Sequence, residues 1–134
     1  MKRLIYQSLA SDDFNSKFVI EMLEKAVLDN KEKSITGILV YDGVQFLQCL
    51  EGEHDAIDEL LIKIETDSRH HSVNIIGTEE DEKRLFSAWE MGYINYNEKT
   101  KEIIRSSTGS EILFPQAPNY EDLKHLLIKL SHFI

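Results

Sequence analysis

Apolar and polar residues alternate from Arg3 to Leu9, with Leu4, Tyr6 and Ser8 on one side and Ile5, Gln7 and Leu9 on the other, which predicts a strand. Beyond Asp12 and Asp13, two N-cap candidates, the spacing changes. Phe18, Val19, Met22, Leu23, Ala26 and Val27 now recur every three or four residues, predicting an amphipathic helix from Phe14 to Asn30. Two apolar runs follow, Ile35–Tyr41 and Val44–Leu50, separated only by Asp42 and Gly43. An Asp-Gly loop of that length predicts a type I′ hairpin. Its register would set Tyr41 opposite Val44, Leu39 opposite Phe46 and Gly37 opposite Gln48. Both faces of the hairpin are apolar, so its strands are expected mid-sheet and covered on each side.

After Gly52, Ala56, Ile57, Leu60, Leu61 and Ile64 mark a second amphipathic helix. Val73–Ile76 predicts a short strand, and Phe86–Tyr96 a longer one in which Trp89, Met91 and Tyr93 alternate with Glu90 and Gly92. The order β-α-β-β-α-β-β describes an α+β fold that resembles a ferredoxin-like sandwich, one sheet with two helices on one face. Residues 97–134 read differently. Lys99–Ser107 predicts a short helix ending near Gly109, Pro115 and Pro118 punctuate a loop, and Tyr120–Phe133 predicts a helix with Leu123, Leu126, Leu127, Leu130 and Phe133 on one side. This C-terminal two-helix cap is expected over the sheet face left bare. The expected division is therefore residues 1–96 and 97–134.

Composition narrows the class. The chain has 134 residues, one domain's worth, with 42% hydrophobic and 29% charged residues. A formal net charge of −9 argues against direct nucleic-acid binding, which needs a basic surface. Cys49 is the single cysteine, so neither an intramolecular disulfide nor a cysteine metal cluster is available. The opening MKRLIYQSLA lacks a secretory apolar core and no stretch reaches membrane-spanning length, so a cytoplasmic chain without a membrane is expected. His70 and His71 are adjacent and point apart on a strand, with no third ligand nearby, so no metal is expected. Glu51, Glu53 and Asp55 are expected to cap the second helix. No nucleophile–base pair or phosphate loop is present, and no enzymatic activity is expected.

Three polar positions do not fit a plain core. Gln48 lies between Phe46 and Leu50 on one face of a central strand, Asn30 continues the buried stripe of the first helix, and Tyr6 sits on an interior strand. A buried amide must satisfy its donors and acceptor or cost a few kcal/mol, on the order of 1–3. Each could be satisfied by its neighbours. Together they point into the space between the helices and the sheet, where a flat, partly polar small molecule fits.

The segments RLIYQS, DNKEKSITGILVYDGVQFLQCLEG, IETDSRHHSVNI and RLFSAWEMGY resemble, in order and spacing, the BLUF domains, blue-light sensors using FAD. The resemblance covers roughly residues 2–96, the stretch from Ile35 to Gly52 being its most specific part. It implies that Tyr6 stands at the photochemical tyrosine that gives an electron and a proton to the excited flavin. Gln48 stands at the glutamine between that tyrosine and flavin N5 and C4=O, and Asn30 at the asparagine bonded to the C4=O and N3 edge. Trp89 and Met91 match the fifth-strand pair linked to signalling. Lys63 and Arg69 match commonly basic positions near the cofactor's polar tail, or are solvated surface cations, and His70 matches a recurrent histidine. Asp29 departs from the pattern, which often has Asn or His beside the ring. The implied mechanism is a light-driven rearrangement of the Gln48 amide by rotation or tautomerisation.

The resemblance implies FAD, with FMN or riboflavin as alternatives, and output through an unidentified downstream signalling protein. A homo-oligomer is left open. Competing readings are a flavin-dependent small oxidoreductase and a non-photoactive regulatory domain that binds another small molecule.

Overall fold

The first strand alternates as its sequence requires. β1 (Lys2–Ala10) buries Leu4 and Tyr6 toward one core and Ile5 toward another. The computed structural model describes residues 1–109 and 119–134. The remaining elements are α1 (Ser16–Glu32), β2 (Thr36–Tyr41), β3 (Gln45–Gly52), α2 (His54–Glu65), β4 (His70–Glu80), β5 (Gly92–Asn95), α3 (Glu98–Thr108) and α4 (Tyr120–Ser131). The loop expected around Pro115 and Pro118 lies outside the described residues.

The five strands form one sheet in the order β4-β1-β3-β2-β5. β1 runs antiparallel to β3 and β4, β2 antiparallel to β3, and β5 parallel to β2. Two split βαβ units result, which is the ferredoxin-like plan with a fifth strand added beside β2. α1 and α2 cover one face through Val19, Ile57 and their neighbours, packed on Leu4, Leu39, Phe46 and Leu50. α3 and α4 cover the other through Ile104, Leu123, Leu126, Leu127 and Leu130, packed on Ile5, Ile38, Val40, Leu47 and Cys49. Among the described residues, no helix is long and apolar enough to cross a membrane.

Several expectations are corrected. The N-cap of α1 is Asn15, whose side chain accepts from Lys17 N at 2.9 Å, and not Asp12 or Asp13. Phe14 precedes it and shares a core with Val19, a hydrophobic staple that sets where the helix begins. The hairpin register is shifted by two residues along β3: Tyr41 pairs with Phe46, Leu39 with Gln48 and Gly37 with Leu50. The turn supplies the reason. Only Gly43 takes a positive φ (98°), while Asp42 Oδ1 accepts from Val44 N at 2.9 Å and Gln45 N at 2.7 Å, moving the corner to Gly43–Val44. A shift of two preserves the faces, so Phe46, Gln48 and Leu50 stay on the α1/α2 side. Glycine at position 37 permits a close backbone approach, since a Cβ there would meet the Cys49 carbonyl oxygen at 2.1 Å.

β5 is shorter than its alternating pattern suggested. Pairing begins only at Gly92, and residues 81–91 form a bent connection. The period of two therefore breaks, and Trp89 packs with the α3/α4 core while Met91 packs with the α1/α2 core. Glu51 does not cap α2, whose N-cap Glu53 makes no side-chain capping bond. It is fully buried in β3, opposite Arg3 of β1, with Arg3 Nε donating to its Oε2 at 2.8 Å.

Candidate functional site

A cavity of about 240 Å³ opens between α1, α2 and the sheet. Its buried floor comes from β1, β3 and the lead into β5. Tyr6 and Gln48 are direct partners across the β1–β3 ladder, which places their side chains on one face. The Tyr6 hydroxyl donates to Gln48 Oε1, and Gln48 Nε2 donates to Met91 Sδ at 3.2 Å. Turning the amide over would set its oxygen against a thioether that has no proton to give, so this orientation satisfies both neighbours. Burial pushes the Tyr6 phenol well above its ordinary pKa, and it stays protonated at neutral pH.

Asn30, at the inner side of α1, is 3% exposed, and its Nδ2 donates to Glu90 O at 2.8 Å. It thereby ties α1 to the residue just before Met91. His70 closes another wall. Its Nε2 lies 2.5 Å from Ile64 O and its Nδ1 2.7 Å from Ser8 Oγ. A carbonyl only accepts, so Nε2 carries a proton and the ring joins β4, β1 and the end of α2.

Leu23, Ala26, Leu39, Phe46, Leu60 and Ile64 make the walls apolar. Lys25, Asp29, Lys63 and Arg69 are exposed lining residues and so mark the rim. Arg69 is engaged already: its Nε donates to both Asp67 oxygens at 2.9 and 3.0 Å. That pairing holds the Asp67 carboxyl below its ordinary range and raises the Arg69 guanidinium.

Eight of the sequence-nominated residues thus meet at one cavity: Tyr6, Asp29, Asn30, Gln48, Lys63, Arg69, His70 and Met91. Trp89 does not line it, and packs on the opposite face of the sheet. Lys25 and Asp67 were missed. Lys25 is one turn before Asp29 on α1, and Asp67 stands two residues before Arg69 in the loop between α2 and β4.

A ferredoxin-like α+β sandwich with an apolar cleft and a few oriented polar groups on its floor is a small-molecule-binding domain. The family model described as BLUF, sensors of blue-light using FAD, matches residues 1–92, and the chain belongs to that family. The structure of the BlsA photo-activated state aligns with a TM-score of 0.86 at 28% identity, over 96% of this chain and 93% of that one. The dark-state structure of BlrB, a BLUF protein, aligns with a TM-score of 0.80 at 25% identity, over 97% of this chain and 93% of that one. The photoactivated adenylate cyclase subunit beta of Euglena longa is 31% identical over 93 residues, which are 68% of this chain and 11% of that protein. The chain thus spans about a tenth of the length of such curated relatives. BLUF domains are blue-light photoreceptors that use a flavin.

The residues present fit such a group. Apolar walls suit a flat ring system, and the Gln48 and Asn30 amides beside the Tyr6 phenol offer the mixed donors and acceptors that an imide edge needs.

Proposed function

We propose that this chain is a blue-light photoreceptor in which the Tyr6–Gln48–Met91 hydrogen-bonded series is the switch. FAD is the proposed cofactor, held by Asn30 and Gln48 at its ring edge and by Lys25 and Lys63 toward its phosphates. The observation that carries this reading is that the phenol, the amide and the thioether form one continuous series on the floor of the cavity.

When bound, the flavin supplies the blue absorption and, once excited, an acceptor for an electron and a proton. Tyr6 holds its proton on the oxygen nearest Gln48, because burial disfavours the phenolate. Gln48 is the bistable part. An amide presents a donor on one side and an acceptor on the other, so rotation or tautomerisation exchanges hydrogen-bond patterns of similar energy. Met91 Sδ accepts weakly, which keeps the cost of releasing Gln48 Nε2 low.

The change would pass from Met91 into β5 and the helices that cover the far face. Residues 1–96 serve as the photosensor unit and 97–134 as its cap, and the output is a light-dependent contact with a signalling protein in the cytoplasm. The chain needs no enzymatic step of its own for this.

The test is the visible spectrum of the purified protein in darkness, after blue light and after dark recovery. A structured flavin band that moves reversibly to the red supports the reading. A colourless protein that refuses added FAD, FMN and riboflavin would sink it, and a yellow protein that bleaches would indicate redox turnover. Chromatography of the released chromophore identifies the flavin species.

A further inference from the structure

Residues 81–91 carry Met91 to the floor of the cavity, yet they take no part in the sheet. Their position therefore depends on the burial of Phe86 in the α3/α4 core and on individual hydrogen bonds. The Glu51 carboxylate accepts from Leu85 N at 2.7 Å and Phe86 N at 2.8 Å, and it is itself fully buried. Arg3, also fully buried, fixes that carboxylate through Nε at 2.8 Å and reaches Lys83 O through Nη2 at 2.9 Å. Arg84 fastens the same stretch from its solvent side, donating to Glu51 O and Thr36 Oγ1, each at 2.9 Å. Beyond Phe86 the chain turns through Trp89 N donating to Phe86 O at 3.2 Å, and Gly37 N holds Trp89 O at 3.1 Å.

β3 thus grips this connection on both faces, with Gln48 bonding Met91 on one and Glu51 bonding the two amides on the other. The nearest alternative role, a purely structural ion pair, would not require two backbone N–H groups of the segment that carries Met91. We propose that Glu51 is a positioning residue that sets Met91 Sδ against the Gln48 amide and so tunes the relative energy of the two hydrogen-bond states. The inference rests on the photoreceptor reading for its light-dependent part, and on the fold alone for the rest. Glu51 was read from sequence as a helix cap; its buried location is what assigns it this different task.

Glu51→Gln tests it, because Arg3 retains Glu79 and Asp81 as partners and is not left without counter-charge. In flavin-free protein, the variant is expected to raise hydrogen exchange at the Leu85 and Phe86 amides by about tenfold and to move the Met91 methyl resonance. In the flavin-loaded protein, dark recovery should change by about fivefold (~1 kcal/mol in the barrier). That change should vanish in a Met91→Leu background, since both substitutions then act on one contact. Arg84→Gln, which leaves the buried charges intact, should shift the same readouts in the same direction and serves if Glu51→Gln does not fold. Looser amides with an unmoved Met91 methyl, or recovery effects of Glu51→Gln and Met91→Leu that simply multiply, would overturn the proposal. A wild-type protein without any light-induced shift counts against the photoreceptor reading instead, while the flavin-free measurements still decide whether Glu51 positions Met91.

Discussion

Tyr6 and Gln48 face one another across the β1–β3 ladder, and the Tyr6 hydroxyl donates to the Gln48 amide oxygen. Neighbouring strands hold this pair, so its geometry comes from backbone register and not from a flexible loop. The phenol is 4% exposed. That makes each of the two side chains separately testable.

Tyr6→Phe keeps the ring and removes the proton donor. The variant is expected to fold and to retain flavin, with a normal dark spectrum and no reversible red shift under blue light. Gln48→Ala should also abolish the shift, and it should move the dark band too, because the amide is proposed to bond the ring edge directly. Difference spectroscopy before and after illumination reads both effects; an unchanged light response in Tyr6→Phe would refute the assigned role.

Asn30→Ala leaves the Glu90 carbonyl without its donor at a site where Asn30 is 3% exposed. Loss of that bond should cost about 1–2 kcal/mol of stability in the flavin-free protein. Flavin affinity should weaken by about tenfold in addition, since the proposed ring-edge contact goes too. Urea unfolding and fluorescence titration measure the two effects separately.

The rim cations distinguish flavin species. Lys25 and Lys63 line the cavity while Arg69 is engaged by Asp67. Replacing both lysines by Ala should reduce affinity for FAD and FMN and leave riboflavin, which has no phosphate, nearly unchanged. Added salt should weaken FAD binding to the wild type more than to this variant. Equal losses for riboflavin and FAD would remove the lysines from the phosphate site.

The buried and exposed ion pairs differ in worth. Arg3→Leu leaves Glu51 buried beside an apolar side chain and should cost about 3–5 kcal/mol in chemical unfolding. Lys2→Ala breaks only the exposed pair with Asp58, and should cost less than about 1 kcal/mol. Burial works against the Arg3 charge, but the hydrogen bonds to Glu51 and Asp81 outweigh it, so the guanidinium remains charged throughout.

Stability should fall at both extremes of pH, for opposite reasons. Burial raises the Tyr6 and Tyr120 phenols, so the folded chain holds those protons more tightly than the unfolded one. Their contribution is complete below the unfolded value of about 10 and is lost as pH rises through the higher folded values. The Arg69 hydrogen bond lowers Asp67, whose contribution is present above its unfolded value of about 4 and is lost as pH falls through the folded one. Urea midpoints across the pH range should show both slopes, and Tyr6→Phe should flatten the alkaline one.

The chain's own pattern determined what is local. Periods of two and of about 3.6 residues set the order β-α-β-β-α-β-β and the two C-terminal helices, and they marked Tyr6, Asn30 and Gln48 as polar residues on buried faces. Each of those depends on residues a few positions apart, whose side chains share a face whatever the rest of the molecule does. The tertiary structure decided the partners. Asp42 moved the hairpin corner by capping Val44 and Gln45, the bend before Gly92 sent Trp89 and Met91 to opposite faces, and the β1–β3 register joined Arg3 to Glu51. Periodicity reports which way a side chain points but not what stands opposite, because register and ion pairing are settled by contacts between residues distant along the chain. Glu51, 48 positions from Arg3, could be assigned only once the sheet had brought the two together.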